Sequence, residues 1–82
     1  MTSKILRLPQ VMEECGLARS TVYLRVKQGT LTKPISLGPR CVGWPEAEIT
    51  AINEARIAEK SEDEIRALVA ELQANRKAGV SV

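Results

Sequence analysis

Apolar positions along the chain recur at two different periods. Leu8, Val11, Met12 and Cys15 follow one another at three- and four-residue intervals, which lines one face of a helix. Pro9 suits the first turn of that helix, where its missing N–H has no intrahelical partner to lose, and Gly16 ends it. The spacing predicts a first helix from Pro9 to about Cys15. A second starts near Ala18 or Arg19 and stops before Gly29, with Val22 and Val26, four apart, as its inward face. So short a connection makes the pair a compact helix-turn-helix. From Thr30 to Trp44 the period becomes two. Lys33-Pro34-Ile35-Ser36-Leu37 alternates, Gly38-Pro39-Arg40 carries turn chemistry, and Cys41-Val42-Gly43-Trp44 resumes an extended pattern. A small β-hairpin is predicted.

Pro45 marks another helix start, and Glu46 and Glu48 in its first turn suit the positive end of the helix dipole. This third helix is expected to run to about Glu59, with Ile49, Ile52 and Ala55 covering the core. Ser61 and Glu64 have the spacing of a capping box and open a fourth helix to about Lys77. Ile65, Leu68, Val69 and Leu72 give it a narrow apolar stripe, while Arg66, Glu71 and Arg76 lie elsewhere on its circumference. That stripe either folds back on the domain or pairs with a second copy of itself. Residues Ala78 to Val82 are expected to fray. The fold class is thus mainly α with a small β-hairpin, ending in a C-terminal amphipathic helix. Residues 1–60 form the helix-turn-helix and hairpin unit and residues 61–82 the final helix and tail.

With 82 residues the chain is one small domain with a modest core, so marginal stability is expected unless it self-associates. Trp44 stands alone as tryptophan in a chain without phenylalanine. One large ring can supply much of a small core, so Trp44 belongs between hairpin and helices, with base stacking as the functional alternative. Cys15 and Cys41 lie among apolar neighbours without metal-ligand or redox spacing and read as reduced and structural. The absence of histidine removes the commonest general base and metal ligand, and no Gly-rich phosphate loop replaces it. Neither an enzyme nor a cofactor or metal site is expected. Nothing near the N-terminus has signal-peptide length, and no segment reaches the roughly 20 apolar residues of a membrane span. A cytoplasmic protein without membrane contact is expected.

Net charge is only +2, but it is unevenly spread. Met1 to Pro45 hold seven Lys and Arg against two Glu, a balance of +5, while the remainder carries −3. Arg19, Arg25, Lys27, Lys33 and Arg40 concentrate on the second helix and the segment after it, giving a local positive surface. On the second helix, the short hydroxyls of Ser20 and Thr21 are placed to touch base edges. Arg19, Tyr23, Arg25 and Lys27 can reach phosphates on either side. Arg40 at the hairpin tip would present a cation to the backbone of a neighbouring groove. The bland reading of each is a solvated face or an ordinary turn residue.

Taken together, several stretches resemble the AlpA family of phage and prophage regulators, small MerR-like winged helix-turn-helix proteins related to excisionases. They are Leu6-Arg7-Leu8-Pro9 leading into Val11 and Met12, then Gly16-Leu17-Ala18-Arg19-Ser20-Thr21-Val22-Tyr23, and then Lys27-Gln28-Gly29. Lys33-Pro34-Ile35-Ser36-Leu37-Gly38 and Val42-Gly43-Trp44-Pro45-Glu46 complete the set. The resemblance covers about residues 5 to 55. It implies that Arg19, Ser20, Thr21 and Tyr23 enter the major groove of double-stranded DNA and that Arg40 sits on the wing. Two departures stand out. Ala18 replaces a helix-capping Ser, so that Ser20 or water takes over the cap or the helix begins a residue differently. The order Leu24 then Arg25 reverses the usual cation and apolar residue after the Tyr, leaving open which of the two faces DNA.

The family likeness implies control of prophage or genomic-island genes, through integrase expression or through excision. A single module of this kind buries only about 600–1,000 Å² on DNA, so a homodimer or several cooperating copies, bending or bridging the duplex, are expected. From a different class comes a protein-interaction adaptor, which uses the helices as scaffold and docks a partner helix on the Ile65 to Leu72 stripe.

Overall fold

A computed structural model describes residues 4–80, with the side chains of residues 77–80 left undescribed. The order of elements is β1 (Ile5–Leu6), α1 (Leu8–Cys15), α2 (Arg19–Gln28), β2 (Ile35–Gly38), β3 (Cys41–Pro45), α3 (Glu46–Ile57) and α4 (Glu62–Val80). The mainly helical chain with a small sheet is compatible with a winged helix-turn-helix.

Local sequence sets each helix boundary. Helix α1 begins at Leu8, one residue ahead of the expected Pro9, because Arg7 takes the N-cap and its N–H donates to Gln10 Oε1 at 2.9 Å. Gly16 closes α1 in the left-handed conformation at φ 66°. Gly29 does the same for α2 at φ 81°. Pro45 is the N-cap of α3 rather than its first residue. This helix stops at Ile57, two residues before the expected end, because Glu59 turns left-handed at φ 58°. The capping box that opens α4 is complete: Ser61 N–H donates to Glu64 Oε1 at 3.1 Å, and Glu64 N–H to Ser61 Oγ at 3.2 Å. Helix α4 continues past Lys77 to Val80, so Ala78–Val80 are helical where fraying was expected. Ser81 and Val82, the rest of that expectation, lie outside the described residues, as do Met1–Ser3.

The sheet has three antiparallel strands in the order β1-β3-β2, one more than the predicted hairpin. Ile5 pairs with Pro45 and Leu6 with Trp44, so the segment before α1 is built into the sheet instead of leading up to it. Two residues carry too little alternation to signal a strand; the pairing exists because β3 offers its free edge. Gly43 makes the approach possible, since a Cβ there would lie 2.6 Å from Ile5 Cγ2 and 3.0 Å from Leu6 O.

Leu6, Val11, Val22, Leu31, Trp44, Ile49, Ile52, Ile65 and Val69 form one core, against which Leu68 and Leu72 pack. The stripe of α4 therefore folds back on its own domain. That outcome removes the docking face on which the adaptor reading relied. Ile65 and Val69 of α4 thereby share one core with Leu6, Val11, Val22, Leu31, Trp44, Ile49 and Ile52.

Candidate nucleic-acid interface

Helix α2 is built so that its polar side has nowhere to go but outward. Val22 is fully buried and Val26 packs against the core, which fixes the rotation of the whole helix. Ser20 and Leu24 then stand along the crest, both exposed. Arg19, Tyr23 and Lys27, at four-residue intervals, follow the flank on which the Tyr23 and Trp44 rings meet at 6.5 Å and a tilt of 55°. Thr21, Arg25 and Gln28 follow the opposite flank and, with Leu24 at the rim, line a groove with Arg56, Glu62 and Arg66.

Arg25 is accordingly half-buried and stands near Cys15 of α1 and Glu62 of α4. The hydrogen bond from Arg56, at 2.6 Å, is the main influence holding the Glu62 carboxyl below its ordinary range, and the charges of Arg56, Arg66 and Arg25 add to it. Cys15 lies in the same neighbourhood, and burial pushes its thiol up, which keeps it protonated at neutral pH. Both cysteines are free. Leu24, by contrast, is 50% exposed at the crest. Sequence reasoning left these two residues undecided, and its one usable signal was that Leu24 is four residues from Ser20 on the side away from Val22 and Val26.

No side-chain hydrogen bond caps the start of α2, so Ser20 does not take over from Ala18 and the helix begins at Arg19. Its first amide N–H groups stay free of intrahelical partners beside the Arg19 and Ser20 side chains. At the other end, Arg25 and Lys27 occupy the last turn, where cations oppose the negative pole of the helix.

The hairpin is anchored by Trp44, which is fully buried and donates its Nε1–H to Thr32 O at 2.8 Å. Thr30 and Thr32, unremarked in the sequence, are both buried beneath this connection, and Thr30 closes the end of α2 by donating its N–H to Arg25 O at 2.9 Å. Lys33 is exposed, but its backbone is strapped to α4. Its N–H donates to Gln73 Oε1 at 2.8 Å, and its carbonyl accepts from Arg76 Nη2 at 2.6 Å. At the far end, Ser36 pairs with Val42 and Gly38 with Cys41, with an irregularity between them at Leu37. Gly38 and Arg40 take positive φ values of 148° and 57°, and Arg40 is exposed at the tip. A left-handed Arg is uncommon and costs backbone energy, so the turn holds this cation at some expense. Arg7 is occupied elsewhere, its Nε–H donating to Val42 O at 3.1 Å. Among the described residues, no group of His, Cys, Asp and Glu is arranged to hold a metal ion, and no helix is long and apolar enough to cross a membrane.

The elements that carry this surface coincide with a known family. The family model of the prophage CP4-57 regulatory protein, AlpA, matches residues 4–57, from the start of the described chain to the end of α3. The chain belongs to the AlpA family. Among curated proteins, it is 44% identical over 55 residues to the uncharacterized protein ORF88 of Enterobacteria phage P4, a match covering 67% of this chain and 62% of that protein. It is 46% identical over 52 residues to the DNA-binding transcriptional activator AlpA of Escherichia coli K12, covering 56% of this chain and 74% of that protein. The chain thus spans about three fifths of the phage P4 relative's length. No solved structure matches it. The AlpA match stops short of α4, although Ile65, Val69 and Arg76 of that helix complete the core and hold the segment that leads into the hairpin.

Proposed function

We propose that this AlpA-family chain is a sequence-specific DNA-binding transcriptional regulator of a prophage or genomic island, acting on integrase expression or on excision. The reading rests on one observation above the rest: the polar side of α2, from Arg19 to Lys27, is turned outward, and the hairpin tip holds an exposed Arg40. In this reading α2 enters the major groove. Ser20 and Thr21 approach base edges, while Arg19, Tyr23, Lys27 and Lys33 neutralise phosphates, with Arg40 on the backbone next to the hairpin. Arg25 contributes charge from the flank instead of contacting bases, because its neighbours are Glu62, Arg56 and Arg66. The name of the Escherichia coli relative, a DNA-binding transcriptional activator, supports the assignment. A MerR-like arrangement of wing and helices and a dimer or cooperating copies on DNA belong to the same proposal, since one small module gives only weak occupancy.

A gel-shift titration of the full chain on attachment-site and integrase-promoter duplexes, across salt concentrations, tests it. Binding that weakens steeply as salt rises, with those duplexes preferred over scrambled DNA, is the expected outcome. No retardation of either duplex at low salt would overturn the proposal.

A further inference from the structure

Leu24 is an exposed aliphatic residue of α2, one turn after the polar Ser20 on the same crest and beside the exposed ring of Tyr23. It is half exposed and lies outside the set of residues that form or pack against the core, its covered part lining the groove with Arg56, Glu62 and Arg66. Val22 and Val26 fix the helix rotation, and that rotation carries Arg25 toward Glu62 while Leu24, at the rim of the same groove, stays half open to solvent. An isolated exposed leucine is ordinary on a protein surface. At the centre of a helix presented to the major groove it is not neutral. Most groups on the groove edges are hydrogen-bond donors and acceptors, and the largest apolar one is the C5 methyl of thymine. A leucine facing any other base would cover polar atoms without satisfying them.

We infer that Leu24 is a specificity-determining residue that reads a thymine methyl group in the major groove. The inference rests on the DNA-binding reading and adds a base preference to it. Leu24 selects thymine by apolar contact, Ser20 one turn earlier on the same crest addresses the neighbouring step, and Arg25 has no part in the base choice.

The test starts from duplexes enriched by the full chain from a randomised pool. A thymine at a fixed position is expected in them, and each duplex is then made with that single thymine replaced by deoxyuridine, which lacks only the methyl. Affinity should fall about fourfold, the worth of one buried methyl group. Leu24→Ala should bind the thymine and deoxyuridine duplexes equally while its circular dichroism melt stays that of the parent chain. Ile57→Ala, which removes an 82% exposed apolar side chain at the end of α3, should keep the parent's ratio. Equal binding of both duplexes by the parent chain, or a thymine preference that survives in Leu24→Ala, would overturn the inference and leave DNA binding standing. Failure to enrich any sequence would instead remove the DNA-binding reading and this one with it.

Discussion

Arg76 grips Glu48 with two hydrogen bonds, Nε to Oε2 at 2.8 Å and Nη2 to Oε1 at 2.6 Å, while the same Nη2 also donates to Lys33 O at 2.6 Å. The Glu48 side chain is only 8% exposed and that of Arg76 22%. A helix beyond the AlpA match thereby clamps the first turn of α3 to the segment that leads into the hairpin. Glu48, expected to serve the helix dipole, instead spends its charge on this clamp.

Removing only one half of the pair leaves a buried charge alone. Arg76→Ala should cost about 3 kcal/mol, the lower end of the range for a broken buried pair because Arg76 retains some contact with water. In a domain this size each kcal/mol lowers the melting temperature by about 4–8 °C. Glu48→Leu combined with Arg76→Met should recover most of the loss in a thermal melt, since no unpaired charge remains.

Gly43 lies where β1 crosses β3, and its need is for space. Gly43→Ala should cost about 1–3 kcal/mol, as the new methyl collides with Ile5 and with the Leu6 carbonyl. Adding Ile5→Ala should return part of that stability in denaturant titrations, because the nearest of the colliding atoms is then gone.

Arg40 and Glu59 both hold a left-handed backbone that favours glycine. Glu59→Gly should raise stability by up to about 1 kcal/mol and leave DNA affinity alone. Arg40→Gly should raise stability similarly yet weaken DNA binding. Opposite signs for one substitution would mark strain retained for a function, and paired melts and gel shifts read both quantities.

Stability and recognition should separate along α2 and β3. Arg19→Ala and Tyr23→Phe should weaken DNA binding while the melt stays nearly unchanged, because Arg19 and the Tyr23 hydroxyl take no part in the core. Trp44→Ala should cost about 3–5 kcal/mol through lost packing, and it also strips Thr32 O of its donor.

Acid should loosen the start of α4. Hydrogen bonds from Arg56 and from Ser61 hold the Glu62 and Glu64 carboxyls below their ordinary value of 4.5. A carboxyl whose pKa is lower when folded adds stability above its unfolded pKa and loses it as pH falls through the folded one. The melting temperature should therefore decline below about pH 4.5, and Glu62→Gln with Glu64→Gln should flatten the decline in melts run from pH 6 to pH 3.

Four helices and a hairpin were legible in the sequence because their signals are local. Gly16 and Gly29 stop helices by accepting positive φ, Ser61 and Glu64 cap across three residues, and Val22 with Val26 marks a buried side. Trp44 as the centre of the core followed from its being the largest apolar group available. Tertiary structure alone decided the matters that depend on partners distant along the chain. The Ile5–Leu6 strand exists only because β3 offers an edge and Gly43 offers room. Glu48 meets Arg76, and Arg25 turns to Glu62, only once α4 has folded back through Ile65 and Val69. Periodicity gives the direction of a side chain relative to its own helix axis, and only the packing of one helix against another turns that direction into a neighbour.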